Sequence, residues 1–187
     1  MKFILASNSS RRKEILKKIK FTFKVMPSSI DELQVSKQIK PHIYCMKLAK
    51  LKAKNISEKY HNYSVIGADT IVVINDIILN KPKDHNDAKN MLKTLSGNTH
   101  KVITGVSILN KNLNINYTFY DTSLVTFYSL SNNEINNYIN IYNPLDKSGS
   151  YGIQDGSALF VKKIIGSYDN IVGFPISKFY QFFKKII

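Results

Sequence analysis

Apolar residues along this chain recur with two periods, and together they predict alternating strands and helices. Lys2 to Ala6 (KFILA) is a short apolar run that predicts a buried strand. Beyond it Ile15, Leu16 and Ile19 fall at helical spacing, with Ser9 placed to cap the helix. Phe21 to Met26 alternates and is aromatic, which predicts a second strand. A polar loop with Asp31 and Glu32 leads to Pro41, which suits the first turn of a helix running to about Asn55 with Met46, Ala49 and Ala53 inward. Ser64 to Val73 is the most strand-like segment, interrupted by Gly-Ala-Asp-Thr. Asp84 opens a helix carrying Ala88, Met91, Leu92 and Leu95 inward, with Gly97 as its stop. Two long strands follow, His100 to Leu109 and Asn116 to Tyr128. Ser131 and Glu134 form a capping box for a helix with Ile135, Tyr138, Ile139 and Tyr142 inside. A glycine-rich stretch precedes a strand from Ala158 to Ile165, and Ile176, Phe179, Tyr180 and Phe183 share one face of a C-terminal helix. The interleaving lacks strict βαβ regularity, so the expected fold is α/β, a mixed twisted sheet flanked by helices. No repeat or linker divides residues 1–187, which read as a single domain.

Composition narrows the function. With 187 residues, 43% of them hydrophobic, the chain can bury a sizeable core. Its single cysteine, Cys45, excludes an internal disulfide or a thiolate cluster and reads as a small buried hydrophobe. The four histidines share no metal-ligand spacing. No apolar stretch approaches the roughly 20 residues of a membrane span, and no secretory leader is evident, so a soluble, cytoplasmic protein without a membrane partner is expected. The net charge of +14 raises a nucleic-acid partner. The lysines are scattered rather than massed, however, which disfavours that reading. More informative is that the 27 basic residues include only two arginines, the neighbours Arg11 and Arg12.

Those arginines stand in Ser7 to Arg12 (SNSSRR), where a strand end, small hydroxyls and a helix N-terminus offer N–H groups to an anion. Cations at a helix N-terminus are disfavoured unless an anion joins them, so phosphate binding competes here with an ordinary solvated first turn capped by Ser9. Gly67 to Thr70 (GADT) presents Asp69 at what reads as a strand end. Asp69 suits Mg²⁺ ligation or general-base work on water, and equally a structural turn. Asp31 and Glu32 offer a further carboxylate or are plain loop charges. Lys81, extended ahead of Pro82, reads as a cleft cation or a solvated lysine, and Asp84 as a cap. Pro144 to Gly156 (PLDKSGSYGIQDG) holds three of the eight glycines, as a close-fitting ligand loop or a flexible turn would, and its Gln154 carries both a donor and an acceptor for the edge of a base.

Taken in order, ILASNSSRRKEIL, IDE, LAKLKA, IGADTIVV, LNKPKD, MLKTLSGNTHKVITGV, PLDKSGSYGIQDG and SYDNIVGFP resemble the Maf family of nucleotide pyrophosphatases over almost the full length. The resemblance implies two lobes around a central cleft, as in the inosine triphosphatases, often dimeric assembly as a homodimer, and Mg²⁺- or Mn²⁺-dependent hydrolysis. Three departures stand out. Ser10 replaces the family's proline before Arg11, Leu51 replaces a glutamate before Lys52, and Asp155 follows Gln154 where glycine is usual. Thr70 after Asp69, and Tyr-Gly-Ile-Gln at 151 to 154, resemble the branch acting on dTTP and UTP, with modified pyrimidine nucleotides as further substrates. On this resemblance Ser9, Arg12, Lys52 and Lys81 hold the triphosphate and Arg11 assists. Glu32 and Asp69 organise the metal, Asp69 activates a water for attack at the α-phosphorus, and Thr70 and Gln154 read the pyrimidine. The competing readings are a non-enzymatic regulator of septum formation in cell division, a basic nucleic-acid-binding protein, and a purine-directed pyrophosphatase of the inosine triphosphate type.

Overall fold

The computed structural model describes residues 1–185. The strands are β1 (Phe3–Leu5), β2 (Lys24–Val25), β3 (Ser64–Ile74), β4 (Ile77–Leu79), β5 (Thr99–Asn110), β6 (Ile115–Phe127) and β7 (Val161–Ile165). The helices are α1 (Ser10–Lys18), α2 (Pro41–Ser57), α3 (His85–Leu95), α4 (Asn132–Tyr142), α5 (Tyr168–Val172) and α6 (Ile176–Phe183). The sheet runs β2-β1-β3-β5-β6-β7, with β4 on β3. Strand β1 pairs parallel with β2 and β3, whereas β3–β4 and β6–β7 are antiparallel, so the sheet is mixed as expected. Among the described residues no helix is long and apolar enough to cross a membrane.

By contacts the chain forms two compact units. The first holds Met1–Thr70, Thr104–Asp121 and the chain from Gly173, and the second Ile71–Ile103 and Thr122–Val172. In the first, Ile4, Ala6, Ala53, Ile56, Val65 and Leu109 pack together beneath Tyr60 and Tyr63. An aromatic cluster of Phe3, Phe21, Phe179 and Phe183 closes beside α6. Two glycines let α2 press onto the sheet: a Cβ on Gly67 would lie 2.2 Å from the Ala49 carbonyl oxygen, and one on Gly105 2.7 Å from that of Cys45. In the second unit Phe127 and Tyr151 meet a buried His100, whose Nε2 lies 2.7 Å from the Tyr151 hydroxyl, and Phe160 links Phe127 to Tyr138.

Capping chemistry set the helix starts as expected. Ser9, Asp84 and Ser131 each accept a first-turn N–H, and Ser131 with Glu134 makes the full capping box. Several expectations need correction. Phe21–Met26 yields only the two-residue β2, because Phe21 is spent on the aromatic cluster. Ile19 and Tyr180 are exposed, and Met46 is only half-buried, with Tyr44, Cys45 and Leu48 taking the inner face of α2. The strand expected from Ala158 begins at Val161, because Gly156–Phe160 forms a 3-10 turn capped by Asp155. Gly67–Thr70 does not interrupt its strand but lies within β3, so Asp69 sits mid-strand rather than at a strand end.

Candidate active site

The site of the first unit follows from the alternation of side chains along β3, which sends successive residues to opposite faces. Gly67 and Asp69 share the face covered by α2. Because Gly67 has no side chain, α2 lies against the strand there, and Lys52 reaches Asp69: Nζ donates to Oδ1 at 2.7 Å. The same ammonium lies 2.7 Å from Glu32 Oε1, at the start of a 3-10 turn over Glu32–Gln34. Asp31 is spent as the cap of that turn, accepting the Leu33 N–H at 2.9 Å. Lys52 and Asp69 have side chains only 12% and 11% exposed, against 51% for Glu32, so the pair is sheltered while the glutamate borders solvent. Burial works against the Lys52 ammonium, but the charge of Asp69 and hydrogen bonds to Asp69 and Glu32 outweigh it, holding its pKa above the usual lysine value.

Cys45, also on α2, fixes the backbone beneath Asp69. Its S–H donates to the Asp69 carbonyl oxygen at 3.1 Å, and its sulfur accepts the Gly105 N–H at 3.0 Å. Burial raises the thiol pKa well above its ordinary value, as the neighbouring Asp69 also does. Cys45 is therefore a protonated strut.

The opposite face of β3 carries Thr70 and meets Arg12. The Arg12 guanidinium donates through Nε to the Gly173 carbonyl at 2.9 Å, through one terminal nitrogen to Ser7 Oγ at 3.0 Å, and through the other to Thr70 Oγ1 at 3.0 Å. Thr70 Oγ1 lies 2.9 Å from Thr104 Oγ1 and donates to the Gly173 carbonyl at 3.4 Å. Burial lowers the Arg12 pKa, opposed by the charge of Asp69; an arginine remains a cation at neutral pH even so. Ser9 Oγ accepts the Arg12 N–H at 3.4 Å, placing Arg11 and Arg12 in the first turn of α1, which contains no acidic residue.

Of the residues expected at the site, Ser9, Arg11, Arg12, Glu32, Lys52, Asp69 and Thr70 belong to the first unit, whereas Lys81 and Gln154 belong to the second. Both of these are exposed beside buried neighbours, Pro82 and Ile153. Within that unit the Gly149 N–H donates to the Asn80 carbonyl at 3.1 Å, tying the stretch before Lys81 to the glycine-rich loop of Gln154. Sequence reasoning missed Ser7, Thr104 and Gly173 as partners of Arg12, although each lies in a stretch that carries the family resemblance.

Among the described residues no three His, Cys, Asp or Glu side chains gather as a metal cage. Asp69 and Glu32 nevertheless reach one cation, so their bonded oxygens lie within twice 2.7 Å of each other. A donor set of one or two carboxylates fits Mg²⁺ or a similar hard cation that takes its remaining ligands from substrate phosphates and water.

The family model for Maf-like protein matches residues 2–186. A Bacillus cytotoxicus protein named dTTP/UTP pyrophosphatase is 45% identical over 98% of this chain and 95% of its own. Proteins of the same name from Bacillus pumilus and Clostridium novyi are 46% and 44% identical, over 94% and 98% of this chain and 91% and 96% of theirs. Among solved structures, a HAM1 protein from Coxiella burnetii aligns at a TM-score of 0.47 with 15% identity, covering 68% of this chain and 73% of its own. On its full-length match and these identities, the chain belongs to the Maf-like protein family.

Proposed function

We propose that this chain hydrolyses dTTP and UTP to the monophosphate and pyrophosphate, with a divalent metal held by Asp69 and Glu32. The observation that carries the reading is the Lys52 ammonium bonded at 2.7 Å to both carboxylates, in the same unit as the anchored Arg12. The choice of nucleotide comes from the relatives' names and full-length identities.

The roles follow from charge and position. Arg12 holds the triphosphate through the N–H groups its anchors leave over, with the α1 N-terminus, Ser9 and Arg11 beside it. Lys52 neutralises negative charge as pyrophosphate departs. Lys81, in the second unit, serves as a further phosphate cation. Asp69 binds Lys52 through Oδ1, which leaves Oδ2 to take the proton of the attacking water at the α-phosphorus. A bound Mg²⁺ or Mn²⁺ would supply Lewis-acid neutralisation of phosphate charge. Gln154 and Thr70 read the pyrimidine, and Thr70 also braces Arg12. Positioning and electrostatics then supply most of the acceleration.

The test is pyrophosphate release from a panel of canonical and modified nucleoside triphosphates, with and without Mg²⁺ or Mn²⁺. Metal-dependent release from dTTP and UTP, with little from purine nucleotides, is expected. Release from purines alone would overturn the substrate assignment. No release from any nucleotide would overturn the enzyme.

A further inference from the structure

The loop that carries Gln154 is pinned on both sides of that residue. Before it, Tyr151 and Ile153 are buried. After it, Asp155 turns its carboxylate back onto the loop and onto α4. Asp155 Oδ1 accepts the Tyr138 hydroxyl at 3.0 Å and the Ser157 N–H at 3.1 Å. Oδ2 lies 3.9 Å from Lys147 Nζ. The Tyr138 hydroxyl also accepts the Gly152 N–H at 3.1 Å, so one phenol clasps the loop two residues before Gln154 and one residue after it. The turn is closed again at the Gly152 carbonyl, which accepts the Ser157 hydroxyl at 2.7 Å and the Asp155 N–H at 3.0 Å. A Cβ on Gly152 would meet Asp155 Oδ2 at 2.8 Å, so the Asp155 carboxylate packs directly against the glycine. Within this clasp Gln154 is the exposed residue between buried Ile153 and half-buried Asp155.

From this geometry we infer that Tyr138 and Asp155 are positioning residues for Gln154, and that together they set the preference for the pyrimidine base. The inference rests on the reading of Gln154 as the residue that meets the base. An amide on a mobile loop must be ordered each time it binds, whereas one on a clasped loop is ordered beforehand, which favours affinity and selectivity. Tyr138 itself is held by its ring, which stacks on Tyr142 and meets Phe160 at centroid distances of 5.2 Å. Removing its hydroxyl alone therefore opens the clasp without emptying the core.

The experiment measures kcat and KM for dTTP and dATP in the full chain and in Asp155→Ala, Asp155→Asn, Tyr138→Phe, Gln154→Ala and the Asp155→Ala/Gln154→Ala double variant. We expect Asp155→Ala and Tyr138→Phe to raise KM for dTTP about tenfold and flatten the preference over dATP, with kcat for dTTP largely kept. Asp155→Asn, which keeps an acceptor for Tyr138, should recover most of the loss. The double variant should be no worse than Gln154→Ala alone, because the clasp acts through that residue. Should Asp155→Ala lose its cooperative melt, Tyr138→Phe carries the same test. Wild-type KM and preference in Tyr138→Phe, or additive losses in the double variant, would overturn the inference and leave the activity standing. A wild-type protein that does not prefer dTTP to dATP would instead overturn the reading on which it rests, and that is seen before any variant is made.

Discussion

His100 makes a prediction about stability that follows from its surroundings. The residue is 1% exposed, meets the Phe127 and Tyr151 rings edge-on, and spends Nε2 on the Tyr151 hydroxyl at 2.7 Å. Its Nδ1 is buried without a hydrogen-bond partner among the described residues. Protonation would bury a charge and leave a donor unsatisfied, and burial accordingly depresses the pKa from 6.5 to about 4. Between those values the unfolded chain binds more protons than the folded one, so stability rises with pH across this window. The contribution is complete above pH 6.5 and is lost as pH falls through 4. The depression corresponds to about 3 kcal/mol, taking ~1.4 kcal/mol per pKa unit. Urea unfolding at a series of pH values, for the wild type and His100→Gln, isolates the term because the carboxylates contribute equally to both. The wild type's advantage over the variant at pH 7 should shrink by about 3 kcal/mol at pH 4. Parallel stability curves for the two proteins would refute the reasoning.

Three further outcomes follow from the first unit. Asp69→Asn should keep its fold yet lose turnover by about 10³-fold or more, read as pyrophosphate release from dTTP. Gly67→Ala would drive its new methyl into the backbone of α2 at Ala49 and Ala53, and should cost several kcal/mol in chemical denaturation, on the order of a severe overpacking mutation. Arg12→Lys keeps the charge but not the fork, and should raise KM for dTTP about tenfold or more, seen in steady-state kinetics.

Much of this arrangement was legible in the chain because it is local. Ser9, Asp84 and Ser131 announce helix starts through short-range hydrogen bonds, and the structure places each one as read. The β4 hairpin was not legible. Its turn uses Asn75 and Asp76, both at positive φ (49° and 59°), with no glycine to mark it. The continuity of β3 through Gly67–Thr70 was hidden for a related reason: glycine in a strand reads as a break, whereas here it admits α2. The anchors of Arg12 are separated from it by as many as 161 residues, a juxtaposition that only the tertiary fold creates. Asp155 stood out in the sequence as a departure from the family's glycine, yet what it holds is visible only once α4 brings Tyr138 beside it.

Why a chain otherwise reliant on lysine has arginine at position 12 can be argued from the geometry there. A guanidinium carries five N–H donors in a rigid plane. Three of them meet the Gly173 carbonyl, Ser7 and Thr70, acceptors contributed by three separate stretches of chain. Two remain unused by the described residues, fixed in direction by the three that are used. A lysine ammonium could satisfy such partners only by turning all its donors toward them, and would then have none left for an anion. The fork therefore does what a point charge cannot, bracing the first turn of α1 against β3 and the Gly173 segment while still presenting donors. The hydroxyl of Thr70 belongs to the same logic. It accepts from Arg12 and lies within hydrogen-bond distance of Thr104 and Gly173, which makes it a brace for the cation. Across the strand Lys52 can be a lysine because its task is different: two carboxylates share it, and a compact ammonium held by opposite charges needs no fixed plane.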